Sequence, residues 1–468
     1  MTDLSQLIEP EILSQISDER SNIRVEEKQL ELTHNRFDLA FKLYFLEGLE
    51  QGKFSEFRRE CYRQHIKAFS DGTFSEPNNP EKNSYEHFER TLIELLNEIR
   101  EHGFDSNKSI IPLAENASIL NGAHRTAVSI LFKKKVGAAR TKLPARDFDY
   151  QYFQHRGVTT EMLDMAAQTF IAYDKRSFLA FIWPAAQGGE SEIEKILSPL
   201  VYKKSISLNY NGAHNLLAQA YSEEPWLGAE SDNFPGIKNK LVECFPTFDD
   251  VRVYLFQANS LEDVLELKDK VRDVFKIGKH AIHITDTQEE TLRLGRLVFN
   301  TNGLHFLNFA KPRLLPCITE NQCKEYAKNN ELLTEALTMH LYGLKALQET
   351  SIKESRATVD RISTLTSSPE NELEDNPEHF FYYNNMKIMS LSLVQRIQKA
   401  RRTSSDKQTL KLITPLMKHK RLSKQFDQLK SRSYFFKLRL ATNIKVVVAS
   451  LLKKLGLFEL IKRILNRN

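Results

Sequence analysis

Apolar positions recur along this chain with two periods, and the period changes from segment to segment. In residues 1–50, Leu30, Leu32, Phe37, Leu39, Phe41, Leu43 and Leu46 stand among charged neighbours and predict helix, which continues through 62–69. Residues 70–84 are rich in turn formers and predict a loop. Phe88, Leu92, Leu95, Leu96 and Ile99 then recur at helical spacing, closed by His102-Gly103. Short apolar runs at 109–113 and 119–120 predict two strands joined by a polar turn, with a helix opening near 123. Beyond Asp147, strand-like runs at 178–183, 201–208, 251–256 and 280–284 alternate with helical segments near 191–197, 213–221, 261–274 and 287–300. That alternation predicts an α/β domain with a mostly parallel sheet. A further helix covers 332–347, and the Ser/Thr-rich, acidic stretch 351–377 reads as a linker. The expected division is a helical segment over 1–54, a first domain over 55–146, a second α/β domain over 147–350, the linker, and a basic helical tail over 378–468.

The stretch Ile119-Leu120-Asn121-Gly122-Ala123-His124-Arg125-Thr126-Ala127 carries the sharpest chemistry. Gly122 allows a tight turn and close approach of backbone to a ligand. The N–H groups of Thr126, Ala127 and Val128 are expected to point above the turn, where a helix N-terminus attracts anions, phosphate above all. Arg125 adds a planar fork suited to phosphate oxygens, and His124 a titratable donor or acceptor. The alternative is a plain strand-to-helix turn with a surface arginine. This Gly-x-His-Arg element resembles the signature of the ParB/sulfiredoxin-like superfamily, over roughly residues 55–145. Members include nucleotide-hydrolysing DNA-partition proteins, an ATP-dependent sulfinic-acid reductase and small-molecule kinases. The resemblance implies a ParB/sulfiredoxin-like first domain that binds ATP or another nucleotide. Its phosphates would meet Asn121, Gly122, His124, Arg125 and Thr126. Glu76 and Lys82, in the preceding loop, are candidates to line the same cleft. Mg²⁺ is expected because phosphoryl transfer needs its developing charge offset.

The second domain offers a different constellation. A strand ends at Ile284, Thr285 or Asp286 caps the next helix, and Glu289 and Glu290 lie in its first turn. His283 with Asp286 reads as a general base and its orienter, or as two metal ligands; an ordinary capped helix is the alternative. His280 and His283 are expected on opposite strand faces, so that one of them points into a cleft. Gly212, His214 and Asn215, at another strand end, are candidates to approach a substrate, as is Lys238 at the start of a helix. Asn300, Asn302, His305 and Asn308 either line a cleft or satisfy buried backbone. Walker A, Gly-x-Ser-x-Gly and His-Glu-x-x-His motifs are absent, which disfavours P-loop and hydrolase chemistry.

Charge changes the picture at the C-terminus. Residues 396–468 carry 20 Lys and Arg against 3 Asp and Glu, whereas the other 395 residues carry 46 against 58. Ile444, Val447, Val448, Leu451, Leu455, Phe458, Ile461 and Leu465 form one helical face, with basic residues largely elsewhere and a possible kink at Gly456. A basic amphipathic helix predicts binding to an anionic membrane surface; packing on the protein itself or on a partner is the alternative. Aromatics are sparse in the basic stretch, so nucleic acid is disfavoured as a partner. Four scattered cysteines and an acidic start predict a reducing cytosol and no secretory signal. The whole arrangement looks similar to bacterial capsule and lipopolysaccharide synthesis proteins. The expectation is a nucleotide-dependent, kinase-like transferase. It would act on a sugar or surface-polysaccharide precursor, as a cytoplasmic protein peripheral to the inner membrane, with His283 and Asp286 serving the acceptor. A ParB-type nucleotide-gated DNA binder and a non-catalytic scaffold of glycan assembly are the alternatives.

Overall fold

The computed structural model describes residues 6–16, 23–76, 82–228, 234–311, 320–330, 332–346, 356–418 and 421–458. The architecture is mixed α/β with small sheets. The N-terminal part runs α1 (Pro10–Gln15), β1 (Val25–Lys28), α2 (Asp38–Glu50), α3 (Glu56–Phe69), α4 (Tyr85–His102), β2 (Ile111–Leu113), α5 (Ala123–Leu131) and β3 (Val136–Arg140). Strand β3 is central, with β2 parallel on one side and β1 antiparallel on the other. Ser55 caps α3 by accepting from the Arg58 amide, as the sequence chemistry of a helix start prefers. Helix α2 is buried nearly all round and packs on α3, α5 and α7 (Thr160–Tyr173), which follows α6 (Tyr150–His155).

The second sheet is built from β4 (Ser177–Ile182), α8 (Glu190–Ile196), β5 (Leu200–Ile206), α9 (Tyr210–Ala220), α10 (Ile237–Cys244), β6 (Val251–Gln257), α11 (Leu261–Phe275) and β7 (Ile282–Ile284). Its order is β5-β6-β4-β7, and every neighbouring pair is antiparallel. The mostly parallel sheet expected from strand–helix alternation is therefore corrected. The crossovers through α8 and α11 do return strands in the same direction, but each skips one position. A strand running the opposite way fills the gap, which is the split-βαβ arrangement. Alternate residues of these strands feed two cores. Phe178, Ala180 and Ile182 face α8 and α11, while Leu179, Phe181 and Trp183 join the main core. Burial on both faces explains why β4 reads as an unbroken apolar run, whereas the edge strand β5 carries Lys203, Lys204 and Ser205.

The remainder comprises α12 (Gln288–Val298), α13 (Thr301–Phe309), α14 (Glu320–Asn329), α15 (Glu335–Leu341), α16 (Arg356–Thr366) and α17 (Glu370–Asp375). The hairpin β8 (Phe380–Tyr383) and β9 (Met386–Met389) follows, then α18 (Leu391–Arg401), α19 (Ser404–Met417) and α20 (Arg421–Lys454). Asn384 and Asn385 take φ of 50° and 60°, the left-handed pair that a two-residue hairpin turn requires. The expected linker is corrected by α16 and α17, which pack together and bury Ile362 and Leu373. The expected tail from 378 begins later, because residues 380–413 still contribute to the main core. That core also spans the division drawn between the N-terminal segment and the second domain. Phe37 stacks on Phe170 and Tyr202 with ring centres 6.3 and 6.1 Å apart.

Candidate functional site

Strand β2 ends in a turn that returns antiparallel at Ile119, and Gly122 then starts α5 with φ +81°. The left-handed conformation demands glycine, and a Cβ at Gly122 would also have to displace the ends of the Ile111 and Arg125 side chains, which it would meet at 2.6 and 3.0 Å. No side chain caps α5. Because Gly122 is the cap, the Thr126 amide already closes the first helical hydrogen bond onto the Gly122 carbonyl at 2.9 Å. The amides presented at the turn are thus those of Ala123, His124 and Arg125, which corrects the expected Thr126, Ala127 and Val128 by three residues. Asn121 serves the turn itself, its Oδ1 accepting from the Gly122 amide at 2.6 Å. Thr126 turns inward; its Oγ1 is buried and has no partner among the described residues.

The side chains around this turn form a network. His124 Nε2 lies 2.8 Å from Tyr62 Oη, on α3. Glu76 and Lys82 close the preceding loop on each other, carboxylate to ammonium at 2.7 Å and the Glu76 amide donating to the Lys82 carbonyl at 3.0 Å. Lys82 Nζ also lies 5.5 Å from the ring centre of Phe88, beside His124. Burial, reinforced by the charges of Lys42, Lys82 and His65, drives the His124 pKa far below the usual imidazole range. His124 is thus neutral at physiological pH. Arg125 Nη2 donates to Glu9 Oε1 at 2.7 Å, at the start of α1.

Beneath the turn lies a cluster that the sequence reading missed. Arg36 grips Asp38 with two hydrogen bonds, Nε to Oδ1 at 2.8 Å and Nη2 to Oδ2 at 2.9 Å. Lys42 donates to Asp38 Oδ2 at 3.0 Å and to His65 Nε2 at 3.0 Å. Arg36, Asp38, Lys42 and His65 are only 2, 0, 3 and 0% exposed. Burial alone would raise the Asp38 carboxyl, but Arg36 and Lys42 outweigh it and hold it far below the ordinary carboxylate range. Burial and the Lys42 charge push His65 strongly down, so its Nε2 accepts from Lys42 and its Nδ1 carries the hydrogen. That Nδ1 has no partner among the described residues. The available signal was Asp38 and Lys42 one helical turn apart inside an otherwise apolar run.

The second-domain residues sit elsewhere. His283, Asp286 and Glu290 line a cavity of about 650 Å³ between α10, α11, β7 and α12, and none of Glu76, Lys82 or Asn121–Thr126 reaches it. The orienter of His283 is Glu290, with Nε2 and Oε1 3.0 Å apart, while Asp286 pairs with Lys268 at 3.1 Å. The expected His283–Asp286 pair is corrected because Thr287, not Asp286, caps α12. That cap turns the Asp286 side chain outward, and the Asp286 amide donates to Glu290 Oε2 at 2.8 Å. No group of three or more metal-ligating side chains stands at Asp286, nor elsewhere among the described residues. His280 lies in a one-turn helix rather than on the strand, so both histidines line the cavity.

His214 and Asn215 are buried in α9 and do not line it; Asn215 Nδ2 donates to the Leu307 and Ala310 carbonyls. Lys238 is exposed and off the wall, and Lys240 takes that place. Gly212 makes room for Asn308 Oδ1, which a Cβ would meet at 2.2 Å, not for a ligand. Asn302, His305 and Asn308 bond to backbone carbonyls at Pro377, Leu416 and Ser207.

Along α20, Phe436, Leu440, Ile444, Val447 and Leu451 are exposed on one stripe. Helix α20 stops at Lys454, and Gly456 ends it at φ +70° rather than kinking it. Ile461, Lys462, Arg463 and Leu465 lie outside the described residues. Among the described residues no helix is long and apolar enough to cross a membrane. No family model, no curated protein and no solved structure matches this chain.

Proposed function

We propose that this chain is a nucleotide-dependent phosphotransferase whose phosphate site is the uncapped start of α5. The observation that carries the reading is the buried Arg36–Asp38–Lys42–His65 cluster, on α2 and α3, whose Arg36 donates to the Ile119 carbonyl at 2.5 Å just ahead of that turn. Burying four ionisable groups is costly, and apolar residues of similar volume would serve stability as well. Such clusters gather where chemistry needs them. An electropositive floor under three outward amides, with Lys82 and Arg125 at the edge, suits the charge spread of a transferring phosphoryl group.

The residues divide the work as follows. The amides of Ala123, His124 and Arg125 hold phosphate oxygens, and Lys82 and Arg125 offset their charge. Neutral His124 orients by hydrogen bonding rather than by charge. Asp38 is saturated by Arg36 and Lys42, so the partly exposed Glu76 receives the proton of the acceptor hydroxyl as its oxygen bonds the terminal phosphorus, the bond from that phosphorus to the bridging oxygen breaks, and the nucleoside diphosphate leaves with the electron pair. The described residues build no ligand set for Mg²⁺ of their own. The ion would arrive with the nucleotide and lend its charge to the phosphates, with water completing its shell. The proposed acceptor is a sugar or surface-polysaccharide precursor at the inner face of a bacterial membrane, and the exposed apolar stripe of basic α20 supports work at that surface. Turnover of ATP, GTP and CTP by the whole chain tests the assignment. Lys82→Ala and Arg125→Ala should each abolish it, and unchanged turnover in both would refute it.

A further inference from the structure

The cavity between α10, α11, β7 and α12 is walled differently from the α5 turn. Its inner wall carries Lys240 and Lys268, each 9% exposed, and Arg272 and Arg293, both half-buried. The acidic residues Glu223, Glu224 and Glu243 are exposed and stand at the rim. The exposed Asp286 is matched by Lys268, and the inner carboxylate, Glu290, is engaged by His283 and the Asp286 amide. Lys240 and Arg293 are left bonding neutral groups. Lys240 Nζ donates to the Lys279 carbonyl at 2.8 Å, and Arg293 donates to the Gln219 carbonyl at 3.0 Å. Burial lowers the pKa of both, and the charges of Lys279 and Arg272 lower Lys240 further.

Two more atoms on the wall are buried without a partner among the described residues: His280 Nδ1 and the Nε of Arg272, whose Nη1 donates to the exposed Asp269 at 2.9 Å. Buried polar atoms without partners are rare and call for a ligand or water. Two aromatic rings line the same cavity. The Tyr221 and Trp226 rings lie 5.3 Å apart, Trp226 is 43% exposed, and Lys240 sits 4.9 Å over Tyr221.

We infer that this cavity is a binding site for a phosphorylated sugar. The phosphate would take the acceptor role that Arg272, Lys240 and His280 leave open, since guanidinium and ammonium groups match phosphate oxygens. The apolar face of the pyranose would lie on Trp226 and Tyr221. The volume of about 650 Å³ suits a ligand from a hexose phosphate to a nucleoside-diphosphate sugar. The inference stands apart from the α5 reading, because the two places share no wall residue.

Calorimetric titration of the whole chain with glucose 1-phosphate, UDP-glucose, glucose and inorganic phosphate tests it. One of the phosphorylated sugars should bind at least about tenfold more tightly than glucose or phosphate alone. Arg272→Gln and Trp226→Ala should each weaken that binding about tenfold without moving the melting midpoint, and Lys82→Ala should leave it intact. Binding of glucose 1-phosphate marks a free sugar phosphate as sufficient; binding of UDP-glucose alone marks the nucleotide-linked form. The inference is overturned if neither phosphorylated sugar binds, or if both cavity variants bind like the wild type. It is also overturned if Lys82→Ala, and not Arg272→Gln, removes the binding, which would move the ligand to the α5 turn.

Discussion

Arg125 donates to Glu9 across 2.7 Å, and this pair ties α1 to the first turn of α5. The carboxylate thus holds the guanidinium that the phosphate reading assigns to the nucleotide, and its other oxygen, Oε2, is buried without a partner among the described residues. An incoming phosphate competes with Glu9 for Arg125. Removing that competitor should strengthen nucleotide binding, and a partly exposed ion pair of this kind contributes at most about 1 kcal/mol. Glu9→Gln is therefore expected to tighten nucleotide binding about two- to fivefold by calorimetry. Weaker binding would show that Glu9 supports the site instead of competing for it.

Arg58 and Asp375 lie 317 positions apart in the chain and form a bidentate pair, Nε to Oδ2 at 2.6 Å and Nη2 to Oδ1 at 2.7 Å. Ser55 Oγ donates to the same carboxylate at 2.7 Å. Both side chains are less than a tenth exposed, so removing one leaves a buried charge alone. Asp375→Ala should cost about 3–5 kcal/mol in urea unfolding. A cost below about 1 kcal/mol would mean that α17 is docked only loosely.

Lys387 lies in β9 with its ammonium 4.1 Å from the ring centre of Phe380. Burial pulls its pKa down from the ordinary 10.5 to about 7. Between those values the unfolded chain holds a proton that the folded chain has released, so stability should rise with pH across that window. Below about 7 the full penalty applies. Lys387→Met is expected to stabilise the protein at neutral pH and to flatten that rise, as read from urea midpoints through the window. An unchanged slope would contradict the assignment.

The stripe of Phe436, Leu440, Ile444, Val447 and Leu451 on α20 is exposed, and the surrounding region is strongly basic. The whole chain should sediment with vesicles containing phosphatidylglycerol, less so at high salt. Ile444→Glu combined with Val447→Glu should abolish this without changing nucleotide binding. Equal sedimentation with neutral vesicles, or none at all, would contradict a membrane-surface role.

Much of the local structure was legible in the sequence. The four strands of the second sheet lie within about two residues of their expected ends, because short apolar runs between helical, period-3.6 segments report burial directly. Strand order was not legible. Placing β6 between β4 and β5 depends on long-range pairing that alternation does not encode. Helices α16 and α17 were hidden by their Ser, Thr and acidic residues, since α17 is docked by a single buried leucine, Leu373, and by polar bonds from Arg58 and Ser55 to Asp375 that no local pattern announces. At the site, Gly122 announced its turn, but the helix register around it needed the cap to be seen. Asp38, Lys42 and His65 read as ordinary helix-surface charge, because nothing local shows that both α2 and α3 turn those faces inward.

Thermal stabilisation of the whole chain by ATP, ADP, CTP and GTP with Mg²⁺ tests the central claim most directly. A ligand that binds only the folded state stabilises it by mass action, by about 2.7 kcal/mol at a hundred times its Kd, and so raises the melting midpoint. At least one nucleotide should raise the midpoint of the wild type, and Lys82→Ala and Arg125→Ala should lose most of that rise. No shift from any nucleotide, or a shift retained in both variants, would contradict it.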